Sequence, residues 1–227
     1  MNTKNIINFL TELKANNNRD WFATNKDWYT EAKNDFEEIC KSLILSISTF
    51  DDDIKNVELK DCVFRIYRDI RFSHDKTPYK THFGAFIASA GGRKSQRGGY
   101  YLHLDPAGSF VAVGVWCPPP PLLKALRQSV YDNIDELMDI IENKNFKKHF
   151  DTFFEGDKLK RVPNGYPKDF ENAELLKLKH YLVKHQLDDE LLFSSHFVNR
   201  LSELSTIAYP FNKFLNYTVD ENTNKKQ

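Results

Sequence analysis

The stretch "GYYLHLDPAGSFVAVGVW", Gly99–Trp116, decides the fold class. Side chains alternate along it with the period of two that a strand requires, so Tyr101 and His103 share one face. Phe110, Ala112, Gly114 and Trp116 share a face in the same way. Between the two runs, Asp105-Pro106-Ala107-Gly108 suits a type I turn region with Pro at its second position. The spacing predicts a hairpin of Tyr100–Asp105 and Ser109–Trp116.

Upstream, "AGGRKSQRGG" (Ala90–Gly99) is glycine-rich and basic, and is expected to be a mobile loop able to close over a pocket. Before it, Val63–Phe72 and Tyr79–Ser89 read as two further strands. Helical signals flank this block. Ile6, Phe9, Leu10 and Leu13 form a stripe within Lys4–Ala15. A long helix capped by Asp20 follows, its stripe running from Trp21 and Trp28 to Ile47 and Phe50, with Asn25 as the polar exception. After Pro118–Pro121, helices are expected at 122–143, 145–154, 171–185 and 195–209, with Pro210 ending or kinking the last before 211–217. The fold class is therefore α+β, with an antiparallel meander of about four or more strands packed against N-terminal and C-terminal helices. The expected organisation is one domain over 1–219 (helical 1–50, sheet 60–117, helical 122–219) and a disordered tail at 220–227.

Composition limits the function classes. The chain has 227 residues, with 32 basic and 32 acidic side chains and 18 Phe. Enough apolar residues are present for a real core. Zero formal net charge argues against a general polyanion binder, so nucleic acid is not the expected partner. Cys40, Cys62 and Cys117 are scattered, with no pair at metal-ligand spacing, and the expectation is no metal. No apolar run approaches the roughly 18 residues of a membrane span. The reading is a soluble, reduced, cytoplasmic protein.

Against that neutral background, "FRIYRDIRFSHDKTPYKTHFG" (Phe64–Gly84) carries Arg65, Arg68, Arg71, Lys76 and Lys80 but only Asp69 and Asp75 as acids. Written as a strand, one face carries Phe64, Ile66, Arg68, Ile70 and Phe72, which places Arg68 in an apolar row and demands a partner for its permanent charge. On the next strand Lys80, His82, Gly84 and Phe86 share a face, and Gly84 and Gly114 are expected to leave space over the sheet. Three readings stay open. Arg65, Arg68, Arg71, Lys76, Tyr79 and Lys80 can line an anion site for a phosphate- or carboxylate-bearing small molecule. They can dock an acidic protein or nucleic acid. They can also be architectural, neutralised by Asp35, Glu37 or Glu38. His82 and His103 are the candidates for acid–base catalysis near neutral pH. Neither a cofactor nor a reaction is legible, since no Walker loop and no H-E-x-x-H set is present.

These segments, with "NNNRDWFATNKDWY" (Asn16–Tyr29), "LLKALRQSV" (Leu122–Val130) and "KRVPNGYPKD" (Lys160–Asp169), resemble the domain-of-unknown-function family 2461 in order and over nearly the whole chain. The resemblance implies a compact domain of about this length and brings no activity, cofactor or catalytic residue with it. It gathers its motif on Arg65, Arg68, Asp69, Arg71, Phe72, Asp75, Lys76, Pro78, Tyr79 and Lys80, and suggests Lys160, Arg161, Gly165 and Tyr166 as a second patch. Asn164 stands where that pattern leads one to expect Lys, which lowers the charge of the second patch.

Overall fold

The computed structural model describes residues 1–150, 153 and 157–224. Its four strands, β1 (Phe83–Ile87), β2 (Gly99–Leu104), β3 (Ser109–Val115) and β4 (Tyr181–Leu187), form one antiparallel sheet in chain order. The α+β class follows. Contacts fall into two compact units, one of 1–94, 101–111 and 186–203, the other of 95–100, 112–185 and 204–227.

In the first unit, α1 (Thr3–Ala15) buries the expected stripe of Ile6, Phe9, Leu10 and Leu13. The long helix is instead two. Asn18, not Asp20, caps α2 (Arg19–Thr24) by accepting from the Trp21 amide at 2.9 Å. Asn25 then ends α2, donating from both its amide and its side chain to the Trp21 carbonyl, and α3 (Lys26–Ile47) starts afresh. Phe22 and Tyr29 are buried where Trp21 and Trp28 were expected, while the rest of the stripe, from Ala32 to Ile47, is buried as read. Phe83 of β1 stacks against Phe9 and Phe36, with ring centroids 6.3 and 5.4 Å apart. This aromatic layer fixes the inner face of the sheet. Each fully buried ring contributes on the order of 1.5–3 kcal/mol.

Val63–Phe72 is not a regular strand. After the short α4 (Leu59–Cys62), the chain pairs with 78–85 through only two isolated bridges, Val63 with Ala85 and Tyr67 with Tyr79. The expected alternation holds in burial from Phe64 to Ile70, with Ile66 buried and Arg65, Tyr67 and Asp69 exposed, but it ends before Phe72, which is 94% exposed. Six residues separate Tyr79 from Ala85 while four separate Val63 from Tyr67. Two extra residues are therefore bulged out on the strand carrying His82. The hydrogen bonds Lys80 N–Ile66 O and Phe64 N–Gly84 O bracket the bulge between Lys80 and Gly84. An even excess keeps Lys80, His82 and Gly84 on one side.

The hairpin turn forms as the sequence indicates. Gly108 N bonds Asp105 O at 3.0 Å, and the Ala107 amide donates to Asp105 Oδ1 at 2.7 Å. In the first unit, Gly92–Lys94 forms a 3-10 turn with φ +56° at Gly92, where a Cβ would lie 2.4 Å from the Asp61 carbonyl oxygen. Arg93 donates to the carbonyls of Lys60 and Val63 at 2.6 and 2.9 Å.

In the second unit, Gly98 exchanges two hydrogen bonds with the buried Asn216 side chain, and Arg97 pairs with Asp220 at 2.5 Å. The loop expected to be a mobile lid is thus packed, because its glycines admit close backbone approach and its arginines are used as ties. Helices α5 (Pro120–Asp132) and α6 (Ile134–Ile141) replace the single one expected at 122–143, and α7 spans Lys144–His149. The part of the expected 145–154 helix at 151, 152 and 154 lies outside the described residues. The expected helix at 171–185 is corrected to a single turn, α8 (Ala173–Leu176), followed by β4. Gly114 has φ +128°, and a Cβ there would lie 2.1 Å from Tyr181 O of β4, so this glycine admits the neighbouring strand and not a ligand. After the short α9 (Asp189–Leu192), α10 (Phe197–Asn224) continues through Pro210 and carries residues 220–224, which were read as tail. Residues 225–227 lie outside the described residues. Among the described residues no helix is long and apolar enough to cross a membrane.

Candidate functional site

Phe83 points into the helices, so its neighbours His82 and Gly84 present to the other side of the sheet. There the first unit gathers residues from two hairpins. A Cβ on Gly84 would lie 2.8 Å from the Tyr101 hydroxyl, so the room expected above Gly84 is filled by the Tyr101 ring. The Tyr101 hydroxyl lies 2.9 Å from His103 Nδ1. The His103 ring lies between His82 and Phe110, with centroids 4.3 and 4.6 Å away. Its Nε2 faces Asp105 Oδ2 at 3.8 Å. Phe64 meets Tyr101 edge-on, and Lys80 Nζ sits 5.3 Å from the Phe64 ring centre.

The electrostatics are uneven. Burial first, then the Lys80 charge, push His82 below its ordinary value, with Asp105 pulling the other way, so at neutral pH the ring is an uncharged imidazole. Burial, helped by Asp105, raises the Tyr101 phenol to about 12, so it remains a hydroxyl that can donate to or accept from His103. Burial, then Arg65, lower Lys80. Nitrogen and oxygen ligand atoms of His82, His103 and Asp105 lie within 4.8 Å of one another, and all three residues are half-buried.

The six residues read as ligand-binding separate into two groups. Arg68 bonds Asp75 at 2.6 Å and Thr77 O at 3.1 Å, and also reaches the Thr77 hydroxyl. It has the expected partners, but its side chain is 26% exposed and not deeply buried. Arg71 makes a two-pronged pair with Asp69. Lys76 donates to Ile70 O at 3.0 Å. Tyr79 is buried, stacked 4.0 Å from Phe22, with its backbone amide and carbonyl held by the Asn17 side chain. Each of these four has a partner within the first unit. Arg65 and Lys80 are different: neither has an ion-pair partner among the described residues. Glu37 and Glu38 pair with Lys33 and Lys41, and Asp35 takes the α1 N-terminus, so the acids that might have neutralised the patch are engaged elsewhere. The 160–166 loop belongs to the second unit, where Tyr166 packs edge-on against Tyr131.

Asp105 is the site residue that the sequence reading missed. The sequence reading places it at the end of the Tyr100–Asp105 strand and in the turn, with no role in a site. The signal was its place two residues after His103, which keeps both on one face.

The profile of a family described as conserved hypothetical protein (DUF2461) matches residues 5–214, and the chain belongs to that family. No curated protein and no solved structure matches it.

Proposed function

We propose that the protein binds an anionic small molecule carrying a phosphate or carboxylate group, gripped by Lys80 and Arg65 beside the ring cluster of Phe64, His82, Tyr101, His103 and Phe110. One observation carries this reading: Lys80 is half-buried without a carboxylate partner among the described residues, and the exposed Arg65, which also feels Asp69, adds a second positive charge near it. Placing a lysine ammonium where burial disfavours it costs free energy unless an anion joins it. A phosphate or carboxylate would take Lys80 as a point charge and Arg65 as a planar fork. The rings supply an apolar wall for the rest of the ligand. His103, oriented by Tyr101 and facing Asp105, is the acid–base group a hydrolase or transferase acting on that ligand would use. The three thiols without a disulfide fit the reducing, cytoplasmic setting in which such a metabolite would be met.

The test is thermal unfolding with inorganic phosphate and with phenyl phosphate, on protein treated with chelator. Binding to the native state alone raises the melting temperature. Wild type and Lys76→Ala should shift alike, and Lys80→Met and Arg65→Met should shift less. Equal shifts in all four proteins, or none, would defeat the proposal.

A second reading is favoured by the exposed hairpin tip, where Phe72 is 94% and Arg71 76% exposed. It makes the tip a dock for an acidic protein. Binding abolished by Phe72→Ser yet indifferent to Lys80→Met would support that reading over the first.

A further inference from the structure

We infer that His82, His103 and Asp105 form a binding site for a divalent first-row transition ion. Two imidazoles and one carboxylate are the donor set of open catalytic zinc and non-haem iron centres, in which further positions remain for water or substrate. Every pair of their ligand atoms lies within 4.8 Å. Two donors at about 2.0–2.1 Å around a tetrahedral ion are about 3.3–3.4 Å apart. The 3.8 Å between His103 Nε2 and Asp105 Oδ2 therefore needs to close by only about half an ångström.

The supporting groups are already in place. His103 has Nδ1 against the Tyr101 hydroxyl, which leaves Nε2 as the nitrogen directed at the carboxylate. With a metal bound, Nδ1–H would donate to the Tyr101 oxygen, the outer hydrogen bond that metal-ligating histidines usually make. Asp105 accepts the Ala107 amide on Oδ1 and turns Oδ2 toward His103. His82 lies in the two-residue bulge between Lys80 and Gly84. A bulge, a regular strand and a turn thus bring one ligand each to the same place. The inference departs from the expectation of no metal, which rests on cysteine spacing and on motifs of adjacent histidines. His82 and His103 are 21 positions apart and meet only through the meander.

The ligands here are not the cations that would grip an anion, but His103 is common to both readings: with a metal on Nε2 and Nδ1 bonded to Tyr101, it no longer serves as the acid–base group. Lys80 bears on it in one respect: its charge opposes a dication, so Lys80→Met should bind metal at least as tightly as wild type.

The experiment titrates chelator-treated protein with Zn²⁺ in phosphate-free buffer by calorimetry, and with Co²⁺ by visible absorption. Histidine-ring NMR is recorded at each addition. Expected are one equivalent bound, Zn²⁺-dependent shifts of the His82 and His103 ring signals first, and an affinity loss of at least about tenfold in His82→Asn and in Asp105→Asn. Asp105→Asn keeps a carbonyl for the Ala107 amide, so the turn survives and the loss reports the ligand. The ring shifts are read on wild type and need no variant to fold. Wild-type-like affinity in both variants, or first shifts at other histidines, would overturn the site, whatever phosphate does to the chelated protein.

Discussion

Replacing Gly84 with Ala tests how tightly the site is built. The new methyl would lie 2.8 Å from the Tyr101 hydroxyl oxygen and 3.3 Å from two carbons of that ring. Overpacking of this kind costs about 1–3 kcal/mol. Removing a strand glycine returns about 0.5–1 kcal/mol of chain entropy. If the ring swings aside, the bond to His103 Nδ1 is lost, worth about 0.5–1.5 kcal/mol. The net expectation is a destabilisation of about 1–2 kcal/mol. In a Tyr101→Phe background the 2.8 Å contact and the hydrogen bond are both gone, and only the 3.3 Å ring contacts remain, which a small tilt relieves. Gly84→Ala should then cost about 1 kcal/mol less than in wild type, a coupling within the range for touching residues. Urea unfolding of the four proteins measures it. Equal cost in both backgrounds, within about 0.3–0.5 kcal/mol, would show that Tyr101 does not lie over Gly84.

Other outcomes follow from the same geometry. Gly114→Ala meets a backbone oxygen at 2.1 Å in a left-handed conformation, and should cost about 3 kcal/mol or more, read as a drop in melting temperature of roughly 6–12 °C or as insoluble protein. Limited trypsin digestion should spare Arg93, Lys94 and Arg97 in native protein; first cleavage there would show that the 90–99 segment is not packed. Asp75 is held down to about 2 by the Thr77 amide and hydroxyl and then by Arg68. A depressed carboxyl stabilises the fold above its unfolded value near 3.9, and that contribution disappears as pH falls toward 2. Carboxyl NMR should show the low value in wild type and a rise in Thr77→Val; an ordinary value in wild type would refute the assignment. Because Arg68 and Asp75 are both partly exposed, Arg68→Met should cost well under the several kcal/mol of a buried pair, as chemical unfolding will show.

What could be read from the sequence was whatever depends on local period. The stripe of α1, the strands β1–β3 and the Asp105–Gly108 turn each follow from neighbours within a few residues. β4 was lost because Leu175, Leu176, Leu178 and Leu182 fall at helix-like steps, while the alternation of "YLVKHQL" begins only after three buried residues. The Val63–Phe72 alternation misled in the opposite direction. Its period is right for a strand, but the segment makes only isolated bridges, and Phe72 at the hairpin tip faces water. Charge counting locates the cation-rich segment but does not say which of its cations are paired within the fold. Asp69, Asp75 and Thr77 satisfy Arg71 and Arg68 locally, and only coordinates show that Arg65 and Lys80 are left over. The pairing of His82 with His103 depends on sheet register and on a bulge, and the tie between Arg97 and Asp220 spans 123 positions. Neither is a property of a short window.

The proposal that Lys80 and Arg65 hold an anion is tested most directly by a crystal structure of the protein soaked with tungstate, a heavy phosphate mimic located by its anomalous signal. The account predicts a peak within hydrogen-bonding reach of Lys80 Nζ and the Arg65 guanidinium, beside the Phe64 and His82 rings. A peak at Arg71 or Lys76 alone, or none at a concentration that occupies other surface cations, would contradict it.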